Sequence, residues 1–180
     1  MSNLDLSVSR FLRDGFNLKN HLINFLDINN DELEKRLMKG VDDLAALHPG
    51  AFNKNNVGDF YEETVGDAHL IDLASWHLNS SNYIADTLLL QQKFAYGKVL
   101  DFGGGIGTHA LAASLLSNVE HVWFVDLNPQ NRNFVKQRSI QLGVEDKISV
   151  HRDLQSTSKV IFDSIICLDV LEHLPDPSKQ

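Results

Sequence analysis

Residues 98–114 read KVLDFGGGIGTHALAAS. A short apolar run passes, through four glycines in five residues, into an alanine-rich stretch. Val and Leu before the glycines, bounded by them, suit a strand, and the Ala and Leu after them suit a helix, so the glycines mark a strand-to-helix turn. Backbone without Cβ atoms lets a ligand come close there, and the first N–H groups of the helix present its positive dipole end. A nucleotide or a carboxylate-bearing ligand is expected at this turn. A ligand-free glycine turn is the weaker reading, because so many glycines sacrifice chain entropy without a packing gain. GIGTHA at 105–110 also fits the GxGxxA form of the dinucleotide fingerprint, so the turn alone does not separate a nicotinamide cofactor from other adenosine ligands.

The same alternation continues to the end of the chain. Strands are expected at 98–102, in HVWFVD (121–126), in KISVH (147–151) and in FDSIICLD (162–169). Helices are expected over THALAASLLS (108–117) and PQNRNFVKQRSIQLG (129–143), the second opened by Pro129 and closed by Gly143. Strands alternating with helices imply right-handed crossovers and a parallel sheet, an α/β fold of Rossmann-like type. Upstream, apolar residues recur at helical spacing instead: Phe11, Leu12 and Phe16, then Leu22, Phe25 and Leu26, then Leu33, Leu37, Val41 and Leu44. Asp31 and Glu34 fit a capping box, and HPG at 48–50 should end that helix before the loop AFNKNNVGD. One helix is expected over residues 60–78, and SSN at 80–82 offers an N-cap for the next. The chain thus divides into an all-helical lid or docking region, 1–94, and a cofactor-binding region, 95–180.

Two acids follow later strands. Asp126 ends the second, nineteen residues after Gly107, where a carboxylate accepts hydrogen bonds from both hydroxyls of a ribose; its alternative role is to cap the helix that begins near Pro129. Asp153 lies beyond the third strand at the same rim, although acids are also common in solvated loops. Composition narrows the partners. The 180 residues carry a net charge of −8, which gives no broad basic footprint for nucleic acid. Cys167 is the single cysteine, so no intrachain disulfide can form and a cytoplasmic location is expected. The N-terminus lacks a signal-peptide pattern, and no membrane role is expected.

From residue 99 to 177 the sequence resembles the class I S-adenosylmethionine-dependent methyltransferases. VLDFGGGIG resembles the family's first motif, which implies that Asp101, Gly103, Gly104, Gly105 and Gly107 surround the methionine and ribose portions of S-adenosyl-L-methionine. VDLNP is similar to the second motif, which implies Asp126 on the ribose hydroxyls and Leu127 against the adenine. LGVEDKISVHRDL resembles the segment leading into and past the third strand, with Asp153 toward the adenine amino group and Leu154 offering its backbone N–H. FDSIICLDVLEHLPDP resembles the fourth strand and following turn of the small-molecule branch, which adds Leu168 to the cofactor contacts. The implied activity is methyl transfer to a small-molecule acceptor. A non-catalytic cofactor-binding or interaction module is the alternative, and an NAD(P)-dependent oxidoreductase rests on GIGTHA alone.

Family domains have seven strands and four are identifiable here, so a C-terminally truncated chain is expected, with homodimerisation through the N-terminal helices or an exposed sheet edge relieving the unpaired strand. Asp169, Glu172 and His173 would share one face if their turn is helical, and His173 is then a candidate base. Capping and packing is the favoured reading of that turn. Relatives with ExxEH there bind a divalent metal, but Asp169 replaces the first Glu and no metal site is expected. Cys167 and Trp123 read as strand packing, and Phe60 and Trp76 as core. Tyr61 is the exception, as a residue that closes over the cofactor.

Overall fold

Four parallel strands form one sheet in the order β3-β2-β1-β4. They are β1 (Gly97–Phe102), β2 (Val119–Val125), β3 (Ile148–His151) and β4 (Ser164–Ile166). The structure, a computed structural model, describes residues 3–47 and 57–179. Register brings the strand ends level: Phe102 pairs with Val125, which pairs with His151, and Asp101 pairs with Ile166. The loops that leave these strands therefore gather along one rim of the sheet.

Helices α7 (Thr108–Ser114) and α8 (Pro129–Leu142) cover one face. Alternation along the strands turns Val99, Val122, Phe124, Ile148 and Ile166 toward that layer, where they pack with Ala110, Leu111, Ala113 and Val135. Trp123 belongs to the opposite face, edge-on to His121 and Phe162. α8 begins and ends as its sequence suggests. Pro129 occupies the first turn, Asn128 caps it by accepting from the backbone of Gln130 and Asn131, and Gly143 closes it at φ 68°.

The upstream chain builds a second helical layer. α1 (Asn3–Asp14) and α6 (Ser81–Phe94) pack on α7 through Phe11, Phe16, Ile84, Leu88 and Ala112. α2 (Leu18–Leu26), α3 (Asn30–Ala46) and α5 (Gly66–Asn79) pack on α8 through Leu22, Leu33, Leu70, Ala74 and Phe134. Arg138 of α8 pins this layer to the glycine turn. Fully buried, it donates to the carbonyls of Ile106 and Gly15, each at 2.9 Å, and to His21 Nδ1 at 3.2 Å. Burial, with the guanidinium beside it, lowers the His21 pKa to about 4, which keeps the ring neutral and able to accept.

Several local expectations are corrected. The cap of α3 is Asn29, which accepts from the Glu32 backbone, so the cap lies two residues before the proposed Asp31–Glu34 box. The HPG signal and residues 51–56 lie outside the described residues. The helix expected over 60–78 is broken: a short α4 (Val57–Asp59) runs into a π-helical turn, Phe60–Thr64, and α5 starts afresh at Gly66, whose φ of 49° suits glycine. Ser80 joins α5 to α6 without a side-chain capping bond. α7 stops at Ser114, short of the expected residue 117. β4 has three residues, because the chain turns away after Ile166. Cys167 consequently lies past the strand and is only half-buried.

Candidate functional site

A cleft of about 840 Å³ opens along the C-terminal rim of the sheet. Such a rim is where doubly wound sheets bind ligands. Asp101, Gly103, Gly104, Gly105, Asp126, Leu127, Asp153, Leu154 and Leu168 all line it. Gly107 does not line it. It sits at the N-cap of α7, and a Cβ there would come within 2.5 Å of the Val135 side chain.

The glycine turn is closely packed, contrary to the expectation that its glycines bring no packing gain. A Cβ on Gly104 would meet the Phe124 ring at 2.5 Å and Asp101 Oδ2 at 2.6 Å. That position admits nothing larger than glycine. Gly105 has φ 55°, a region costly for a branched side chain, and its N–H donates to Asp126 Oδ2 at 2.9 Å. Asp126 therefore fixes the turn. Its other oxygen accepts from the Asn128 backbone at 2.8 Å and from Asn131 Nδ2 at 3.3 Å. The helix cap belongs to Asn128, so the alternative role for Asp126 is set aside.

Burial pushes the Asp126 pKa up to about 6 even though the Asn128 and Gly105 backbones oppose the shift. Asp101 is pushed further, to about 7, by burial and by the nearby Asp126 carboxylate, with the Ala110 backbone offsetting part of the rise. Among the described residues Asp101 Oδ2 has no hydrogen-bond partner. A buried carboxylate oxygen without a donor is costly, and a cation or N–H donor entering the cleft relieves it.

The helical layer supplies the remaining walls. Tyr61 of the π-helical turn faces the cleft and packs against His69, ring centroids 4.8 Å apart. Arg152, after β3, reaches back to pair with Glu62 of the same turn and with Asp153 at 3.0 Å, which holds both carboxyls below the usual range. Arg152 is the only Lys or Arg among the lining residues described. Burial holds His69, His77 and His109 at pKa values of about 4, 3 and 4, so these rings are neutral near pH 7. Trp76, expected in the core, lines the cleft instead and is 36% exposed. Asp169 and His173 line it too, but Glu172 does not, because residues 171–173 form a 3-10 turn that Asp169 precedes at φ 55°. No group of three or more potential metal ligands occurs among the described residues. No helix there is long and apolar enough to cross a membrane.

Sequence reasoning missed Asp72, Leu73, Trp76 and Tyr83, which reach the cleft only because α5 and α6 dock beside it. Periodicity shows that a helix has an apolar face, not which neighbour receives it.

A methyltransferase-domain family matches residues 75–180, more than half of the chain and all of the sheet. Over 83 residues the chain is 34% identical to a ubiquinone biosynthesis O-methyltransferase of Xylella fastidiosa (strain 9a5c), covering 45% of this chain and 33% of that protein. Proteins of the same name from Xanthomonas euvesicatoria pv. vesicatoria (strain 85-10) and Chromobacterium violaceum are 32% and 33% identical over 88 and 82 residues, 48% and 44% of this chain and 36% and 34% of theirs. The matching stretch thus spans about a third of the length of these curated relatives. No solved structure matches the chain at comparable significance. Parallel strands in the order β3-β2-β1-β4, a glycine turn after β1, an acid after β2 and the family match over the same residues place the chain in the class I S-adenosylmethionine-dependent methyltransferases.

Proposed function

We propose that the cleft binds S-adenosylmethionine and that the protein transfers its methyl group to oxygen of a small-molecule acceptor. The observation that carries this reading is the buried, unpartnered Asp101 Oδ2 beside a glycine that a Cβ would block. The cofactor is cationic at its sulfonium and its ammonium, and the cleft answers with Asp72, Asp101, Asp126, Asp153 and Asp169 against one paired arginine. The residues present fit the group. Asp101 would hold the ammonium, Asp126 the ribose hydroxyls, Leu127 and Leu154 the adenine faces and edge, and Asp153 the adenine amino group, while Gly103 to Gly105 allow close backbone approach. When bound, the cofactor supplies a methyl group already activated by the sulfonium, so the chain's task is to orient the acceptor and exclude water. Oxygen is favoured because the relatives are named O-methyltransferases.

The turn at Phe60–Thr64 is tied to the rim beside Asp153 through the Glu62–Arg152 pair, which suits it to act as a lid. Adding S-adenosylmethionine is expected to slow hydrogen exchange at residues 103–107 and at 60–67, whereas NAD at the same concentration does not. Protection by NAD alone would overturn the cofactor assignment; protection confined to 103–107 would remove the lid role.

Gly105→Val should lower S-adenosylmethionine affinity at least tenfold with helical circular dichroism retained. Valine disfavours the left-handed region by about 1–2 kcal/mol. Its Cβ would also lie 2.9 Å from Leu73 Cδ1, so the turn shifts and the bond to Asp126 is disturbed. Calorimetry that returned wild-type affinity would place the ligand elsewhere.

A further inference from the structure

The Asp126 carboxylate is the meeting point of two chains of contact that run from the cofactor end to the base of the lid. Its Oδ2 holds the glycine turn through the Gly105 N–H. Its Oδ1 accepts from the Asn128 backbone at 2.8 Å and from Asn131 Nδ2 at 3.3 Å, two fully buried residues at the start of α8. Each asparagine then reaches across to a residue 62 positions earlier in the chain. Asn128 Nδ2 donates to the Gly66 carbonyl at 3.0 Å, at the left-handed joint between the π-helical turn and α5. Asn131 Nδ2 lies 3.3 Å from Nδ1 of His69, whose ring packs against Tyr61, the residue of the turn that lines the cleft.

Donor counting fixes the direction of the second chain. An ionised carboxylate only accepts, so the Asn131 amide turns its nitrogen toward Asp126, and the second hydrogen of that nitrogen meets His69. The neutral ring therefore accepts at Nδ1 and carries its own proton on Nε2. Asn131 Oδ1 is left buried with no partner among the described residues. A buried amide satisfied on one side alone costs stability, which sets Asn131 apart from a residue placed for packing.

Resting on the methyltransferase reading, we propose that Asn128 and Asn131 are positioning residues that couple the cofactor's ribose to the lid. Hydroxyls seated on Asp126 fix its carboxylate, the two asparagines follow Oδ1, and Gly66 and the His69–Tyr61 pair are held against the cleft. Both contacts of Asn131 are long, so each has distance to close once the carboxylate is fixed. One group carries the glycine turn on one oxygen and the lid ties on the other, so a ligand that seats on it sets both.

Two substitutions cut the ties separately. Asn128→Ser keeps a side-chain oxygen to cap α8 and loses the reach to Gly66, while Asn131→Leu keeps the volume and loses both donors. The quantity read is the ratio of hydrogen-exchange rates without and with saturating S-adenosylmethionine, at 60–67 and at 103–107. In the unaltered protein both ratios are expected to reach about fivefold or more; in each variant the ratio at 60–67 should fall below about twofold while that at 103–107 is kept. Asparagines with a merely structural role would speed exchange at 60–67 with and without the cofactor alike and leave the ratio unchanged, which would overturn the coupling. A parallel fall of both ratios would overturn it as well. A second measurement needs no change at either asparagine: nitrogen-15 histidine spectra of the cofactor-bound protein should show His69, assigned by its loss in His69→Gln, with its proton on Nε2, and a proton on Nδ1 would overturn the chain through Asn131. Calorimetry with S-adenosylmethionine on the same samples distinguishes the failures: cofactor binding with an unchanged ratio at 60–67 sinks only the coupling, and no cofactor binding to the unaltered protein sinks the function from which it was drawn.

Discussion

Asp126→Ala is expected to reduce S-adenosylmethionine affinity by a factor of about 100 to 10,000, beyond calorimetric detection at ordinary protein concentrations. Two hydrogen bonds from ribose hydroxyls to a carboxylate contribute about 1.5–3 kcal/mol each, and 1.4 kcal/mol is tenfold in affinity. The substitution also acts before any ligand arrives. It strips the acceptor from the Gly105 N–H and the Asn128 N–H, so the glycine turn and the start of α8 lose a shared anchor. Asp126→Asn separates the two effects. Asparagine keeps one oxygen for the turn but loses the charge and half of the ribose contact, so an intermediate loss is expected. A folded Asp126→Ala protein with unchanged affinity would remove Asp126 from the ligand site and leave it as a turn anchor alone.

The double duty of Asp126 shows where sequence reasoning reaches and where it stops. Its position just past a strand, at a fixed distance from the glycine turn, is a one-dimensional fact. So are the positions of Asp101, Leu127, Asp153, Leu154 and Leu168, because parallel strands in register carry whatever follows them to one rim. The parallel sheet and the rim that gathers these residues are accordingly legible. What Asp126 bonds to in the absence of ligand is not, since the Gly105 N–H arrives from another strand's loop.

The same limit explains the errors in the helical layer. Asn29, two residues upstream, outcompetes Asp31 as the cap, and a Val65–Gly66 junction ends a π-helical turn inside an otherwise continuous apolar pattern. Both are choices among near-equivalent local options, decided by how the helices dock. Trp76 has the spacing of a core residue, yet it faces the cleft because α5 buries Leu70, Ile71 and Ala74 against α3 and α8 instead. Glycine packing was likewise invisible: only the folded chain puts the Phe124 ring beside Gly104 and Val135 beside Gly107.

S-adenosylmethionine affinity is expected to rise with pH between about 5 and 7 and to reach its maximum between about 7 and 8. In the ligand-free fold the pKa of Asp126 is about 6 and that of Asp101 about 7, both raised chiefly by burial above the ordinary aspartate value. The folded protein therefore holds these protons more tightly than the unfolded chain does. The stability that comes from the protonated acids is fully present below about pH 4 and is lost as pH rises through 6 and 7, at no more than about 1.4 kcal/mol per pH unit for each group. A cationic ligand has the opposite preference, since it binds the ionised carboxylates and relieves the repulsion between them. Below the lower pKa each bound cation must displace protons, and affinity falls; above about pH 8 the ligand's own ammonium deprotonates and the gain reverses. Melting temperature without ligand and affinity for ligand should thus move in opposite directions through the same window. Asp101→Asn should flatten the upper part of the affinity profile, raise ligand-free stability near pH 8 and weaken binding, because it removes both the buried charge and the ammonium's partner. Calorimetric affinities that stayed level from pH 5 to 8 in the unaltered protein would show that neither carboxylate meets the ligand's positive charge, and the cofactor would have to be held by the rim residues alone.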